Sequence, residues 1–205
     1  MNLGKINFNK NNLDFNTVLI SHTYNPPYML GETPVTQDLY YRVTASNPSK
    51  FIGNPNRPVE QVSFYDAMLF CNILSSKFNL EPYYTINTNN IKINDTSSGF
   101  RLPTATEWHF ACTDYHDIKK VNILDIAWCK ENSNSTTHPV ATKRPNTWGL
   151  YDMCGNVDEW VLHHEITGCG GSWKDPHLHI PTAVRCGFPH NTRNNDLGFR
   201  IAKNL

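Results

Sequence analysis

After Cys112 this chain of 205 residues loses every helical period, and that loss most constrains its fold. The remainder is Gly, Pro, Asn and Thr punctuation around short apolar runs such as Ile126-Ala127-Trp128-Cys129 and Gly198-Phe199-Arg200-Ile201-Ala202. Such punctuation predicts short strands joined by long loops. Long loops are either functional or disordered, and with 12% aromatic residues and five Trp the chain carries too much packing material for disorder. Upstream, two stretches carry a helix signature. Ser63-Phe64-Tyr65-Asp66 resembles a capping box and opens an apolar run (Ala67, Leu69, Phe70, Cys71, Ile73, Leu74) reaching about Lys77. Thr104-Ala105-Thr106-Glu107, after Pro103, opens a shorter helix through Trp108, Phe110, Ala111 and Cys112.

Residues 1–27 are Asn-rich with one strand-like run, Thr17-Val18-Leu19-Ile20, and read as an arm or first strand packed on a single domain of residues 28–205. Residues 85–98 have the composition of an exposed insertion. The reading is α+β, with two helices, short antiparallel strands and much irregular loop. Eighteen basic and 18 acidic residues give a net charge of +0, which argues against a nucleic-acid partner. The N-terminus has no signal-like apolar region and no stretch approaches the roughly 18 apolar residues of a membrane span. A cytoplasmic protein without a membrane partner is expected. Its six Cys show no CxxC spacing and read as small buried hydrophobes.

Four blocks, in order, carry a resemblance: Pro34-Val35-Thr36-Gln37 with Asn47-Pro48-Ser49; Arg57-Pro58-Val59-Glu60-Gln61-Val62-Ser63; Arg101-Leu102-Pro103-Thr104-Ala105-Thr106-Glu107-Trp108; and Trp148-Gly149-Leu150-Tyr151-Asp152-Met153-Cys154-Gly155-Asn156-Val157-Asp158-Glu159-Trp160. The last is completed by Gly170-Gly171-Ser172-Trp173 and Leu197-Gly198-Phe199-Arg200. Together they resemble the formylglycine-generating-enzyme, or sulfatase-modifying-factor, domain family. The resemblance implies a variant of the C-type-lectin fold with a loop-built face. It also implies several activities. Some members are copper-dependent oxidases acting on a sulfatase cysteine, some are parts of non-haem iron enzymes, and some are bacterial or phage binding scaffolds with a diversified C-terminal segment.

The oxidase needs a soft cysteine pair for copper, which the family places near positions 175 and 180. Here Trp173 to Pro181 holds no cysteine, so copper is not expected; Ser172 matches the family's active-site serine. His177 and His179 form an H-x-H, which on a strand would point both rings to one face as metal ligands, with His163, His164 and His190 as further candidates. A divergent formylglycine-generating-type oxidase, or a non-haem metal enzyme using His177 and His179, is the alternative to a binding scaffold. For calcium, the resemblance implies oxygens from the Asp152 carboxylate, the Gly155 and Val157 carbonyls and the Glu159 carboxylate. The other reading of Glu159 is a buried acid paired with Arg200 or Arg101.

Cys112 and Cys186 match positions that some secreted relatives join by a disulfide, which implies neighbouring side chains, expected as free thiols in a reducing compartment. Cys71 matches a second bridge whose partner position holds Ile201. The leading expectation is a non-oxidase scaffold that binds a protein or glycan through its C-terminal loop face. Trp173, His177, His179, Arg185, His190, Asn191, Arg193 and Asn195 supply the aromatic, Arg and Asn side chains such surfaces use.

Overall fold

The computed structural model describes residues 4–21, 26–87, 90–112, 121–163, 167–180 and 188–205, together with the backbone of 184–186. The chain opens with an antiparallel hairpin, β1 (Lys5–Lys10) and β2 (Leu13–Ile20), turned by Asn11 and Asn12 at positive φ. β2 pairs with β3 (Tyr28–Gly31), which pairs with the C-terminal strand β11 (Ala202–Asn204), itself beside the two-residue β6 (Phe100–Arg101). The result is a five-stranded antiparallel sheet, β1-β2-β3-β11-β6. Alternation along the strands sends side chains to opposite faces. Leu13, Phe100 and Ile201 enter one hydrophobic cluster, while Val18, Ile20, Leu30 and Ala202 enter a second.

The sequence predicts two helices; the structure has four among the described residues. α2 (Phe64–Lys77) has the predicted capping box, with Ser63 Oγ accepting the Asp66 N–H and Asp66 accepting the Ser63 N–H. In α3 (Ala105–Cys112), Thr104 Oγ1 accepts the Glu107 N–H and Glu107 Oε2 accepts the Thr104 N–H. α1 (Gln37–Thr44) is additional. Its first residue, Gln37, is buried and donates to the carbonyls of Phe51 and Pro58, so a polar residue occupies its core-facing stripe and masks the apolar period. α4 (Ile123–Ile126) is one capped turn, too short to show a period.

β4 (Tyr84–Asn87) and β5 (Asn90–Ile93) pair antiparallel. A four-stranded sheet, β10-β7-β8-β9, is built from β7 (Asp158–Val161), β8 (Thr167–Cys169), β9 (Val184–Cys186) and β10 (Leu197–Gly198). Its β10·β7 pair is parallel, a departure from the all-antiparallel expectation. No described helix is long and apolar enough to cross a membrane.

Candidate ligand-binding face

The 148–160 block reaches β7 by an irregular path, with Gly149, Asp152, Gly155 and Asn156 all at positive φ. Asn156 locks this path. Its amide nitrogen donates to the His138 carbonyl, its Oδ1 accepts the His138 N–H, and its carbonyl accepts the Trp173 N–H. Gly155 is required by a close approach: a Cβ there would lie 2.3 Å from the Trp128 carbonyl oxygen.

Glu159 is 1% exposed, and three donors already point at its carboxylate: Arg200 Nε at 2.6 Å, Arg200 Nη2 at 2.7 Å and Trp108 Nε1 at 2.7 Å. Asp152 Oδ2 accepts the Ala141 N–H at 2.8 Å, and Oδ1 accepts the Asn156 amide at 3.3 Å. Burial pushes the Asp152 carboxyl up to about 6. The Gly155 and Val157 positions lie between them in the same buried segment. A guanidinium in bidentate contact lies against Glu159 in this fold, while Asp152 accepts from a backbone N–H and a side-chain amide. Among the described residues, no group of three or more His, Cys, Asp or Glu is arranged to hold a metal ion.

The H-x-H does not lie on a strand. Residues 177–179 form a turn, so strand alternation does not align the two rings. His177 faces Glu131, with Nδ1 3.0 Å from Oε1 and the His177 N–H donating to Oε2 at 3.0 Å. The contact with His177 holds the Glu131 carboxyl down to about 2. His179 is exposed two residues on; His164 lies outside the described residues. Of the two positions the resemblance assigns to copper thiols, Asp175 accepts the Ser172 hydroxyl at 2.6 Å and Ile180 is buried. Ser172 itself is 0% exposed.

The remaining face residues form one band, laid from the 173–180 loop to the start of α2. Trp173 is its pillar rather than its tip. The indole is half-buried, donates to the Asn195 carbonyl at 3.0 Å and meets the Phe51 ring edge-on at 5.4 Å. The Asn194 carbonyl accepts the Gln61 N–H, and the His190 carbonyl accepts the Phe64 N–H. The His190 ring stacks on Tyr65 at 5.4 Å, and Arg193 pairs with Asp66. Asn191 is exposed beside them. Arg185 lies in β9, its side chain outside the described residues.

Phe51 and Tyr65, which meet the Trp173 and His190 rings, escape sequence reading as face residues, and Leu69 and Leu178 are further exposed apolar side chains. Tyr65 and Leu69 sit four apart on α2, off its buried stripe, and Leu69 is 52% exposed although its apolar character reads as core. Leu178, 75% exposed, tips the His177–His179 turn. The usable signal is an apolar pair at i and i+4 on the polar side of a helix.

Beneath Phe51 lies Glu60, 0% exposed. Its Oε1 accepts the Phe51 N–H at 2.8 Å, while Oε2 has no hydrogen-bond partner among the described residues. Burial, with Asp196 adding to it, pushes this carboxyl up to about 7. The folded protein therefore holds a proton that the unfolded chain releases near 4.5. Stability from this group falls as pH rises from about 4.5 to about 7, by about 2 kcal/mol after allowing for solvent screening. Glu60→Gln is expected to raise the unfolding midpoint at pH 8 and leave it little changed at pH 4.5. Equal shifts at both pH values would remove the assignment.

With the geometry in place, comparison with known proteins decides the family. The sequence model of the sulfatase-modifying factor enzyme 1-like domain matches residues 7–205. The chain belongs to this family. Among its relatives, this sulfatase-modifying-factor-like chain is 33% identical to "Chaperone protein LppX" of Paenibacillus barcinonensis, over 86% of this chain and 80% of that one. Its fold is similar to that of Treponema denticola variable protein 1, with a TM-score of 0.85 and 29% identity over 98% and 99% of the two chains. It also resembles CarF, with a TM-score of 0.74 and 27% identity over 90% and 89%. The mixed α+β architecture is that of the family.

Proposed function

We propose that this sulfatase-modifying-factor-like chain is a non-catalytic scaffold that binds a protein ligand through the band from Leu178 across Trp173 to His190, Tyr65 and Leu69. The observation that carries this reading is exposed apolar and aromatic surface on a hydrogen-bonded support. Leu178, Leu69 and Tyr65 face solvent at 75%, 52% and 38%. The 190–195 loop beside them is anchored by the Trp173–Asn195, Phe64–His190 and Gln61–Asn194 hydrogen bonds. Pre-ordered loops lose little entropy on binding, and aromatic anchors dominate such interfaces. Two relatives bear names that agree with a binding role, one a variable protein and one a chaperone. Asp175 and Ile180 at the assigned copper positions, and a buried Ser172, support the non-oxidase part.

We also read the Asp152–Glu159 block as held by Arg200 rather than by calcium. On this reading Asp152, Gly155, Val157 and Glu159 are structural residues.

The test is selection of peptides from a displayed random library on the immobilised protein. Selected peptides are expected to lose about thirtyfold in affinity with Tyr65→Ala or Leu178→Asp, the loss of one anchor residue. The thermal midpoint of both variants should match wild type, since neither side chain is buried. Peptides insensitive to both substitutions would put the binding face elsewhere. Face-dependent binding on a glycan array with no peptide enrichment would replace the protein ligand with a glycan.

A further inference from the structure

We propose that Cys112 and Cys154 are a thiol pair that closes to a reversible intramolecular disulfide when the protein meets a disulfide oxidant such as glutathione disulfide. Cys112 is the last residue of α3, and its Sγ lies 3.8 Å from the carbonyl oxygen of Met153, the residue preceding Cys154. Cys112 is the neighbouring side chain that shifts the Cys154 thiol most. Both pack in the cluster built on Trp108, Met153 and Cys169. Among the described cysteines Cys112 alone is partly exposed, whereas Cys154 is 1% exposed. The pair thus has one thiol that solvent reaches and one that reaches Cys112.

That asymmetry sets the order of steps. The Cys112 thiolate attacks one sulfur of glutathione disulfide, breaking its S–S bond and releasing one glutathione thiolate. The Cys154 thiolate then attacks the Cys112 sulfur of the mixed disulfide and releases the second glutathione. Two protons leave to solvent, and two electrons pass from the protein thiols to glutathione disulfide. The Cys112 side chain, followed by burial, holds the Cys154 thiol well above its ordinary range. Its thiolate is scarce at neutral pH, so the second step is slow there and accelerates as pH rises.

The bond would staple the end of α3 to the loop that carries Asp152 and Gly155, closing a long stretch of chain. The family pattern pairs Cys112 with Cys186 instead; the Cys186 side chain lies outside the described residues.

To test this, reduced wild-type protein is incubated with glutathione disulfide at pH 8.5, alkylated, digested without reductant and mapped by mass spectrometry. A Cys112–Cys154 linked peptide that dithiothreitol returns to free thiols is expected, with a rise of roughly 5 °C in the unfolding midpoint. Cys154→Ala should stop at a glutathione adduct on Cys112. A Cys112–Cys186 link, a lasting glutathione adduct on Cys112 in the wild type, or two free thiols after oxidation would each overturn the proposal. Mapping of the wild-type protein keeps the test independent of whether the variant folds.

Discussion

Arg200→Ala is expected to destabilise the protein by about 3–5 kcal/mol, the cost of removing one partner from a buried ion pair. Arg200 is 0% exposed and does more than neutralise Glu159. Its Nη1 donates to the Gly31 carbonyl at 3.0 Å and its Nη2 to the Tyr151 carbonyl at 2.9 Å. One side chain therefore ties the end of β3, the 148–160 block and β7. The substitution strands the Glu159 carboxylate against Trp108 and takes a donor from each of two backbone carbonyls. Chemical denaturation measures the loss directly. Glu159→Leu combined with Arg200→Met is expected to cost less than the two single changes summed, because no charge is left unpaired. A loss below about 1 kcal/mol in Arg200→Ala, the range of an exposed pair, would show that the pair does not hold the block. Under the same reading, added calcium or chelator leaves the wild-type midpoint unchanged. A chelator-sensitive midpoint would return calcium to Asp152 and Glu159.

Gly155→Ala should be comparably severe, at roughly 3 kcal/mol or more, from a left-handed backbone conformation and overpacking together. Gly155 has φ +76, and the added methyl would meet the Trp128 carbonyl oxygen at 2.3 Å, against backbone atoms with nothing flexible to yield. Gly149 is the control. At φ +84 it has nothing within 4 Å of an added Cβ, so Gly149→Ala carries the conformational cost alone, about 1 kcal/mol. The difference between the two midpoints isolates the steric part. Equal losses would mean that the 155 segment moves away from Trp128.

Where local physics governs, the sequence is readable. Ser63 and Asp66, or Thr104 and Glu107, meet because three residues bring them to the same helix end. Both capping boxes, and hence α2 and α3, are legible from residue types alone. α1 is not, because Gln37 is buried for its bonds to the 51–58 loop rather than for its apolarity. Leu69 misleads in the opposite direction, apolar yet exposed. The H-x-H of His177 and His179 reads as a ligand pair only if the backbone is a strand, and the loop runs through a turn instead.

The sequence by itself determined the family, the loop-rich α+β class and the two capped helices, since ordered motifs and i to i+3 contacts are properties of the chain. It also carried both readings of Glu159. Only the tertiary structure shows which arginine Glu159 meets, by bringing Arg200 to 2.6 Å from a residue 41 positions away. The same holds for His177 against Glu131, Trp173 against Asn195 and Cys112 against Met153. Such pairings depend on how irregular loops cross, and an irregular loop has no period by which residue spacing can be turned into distance.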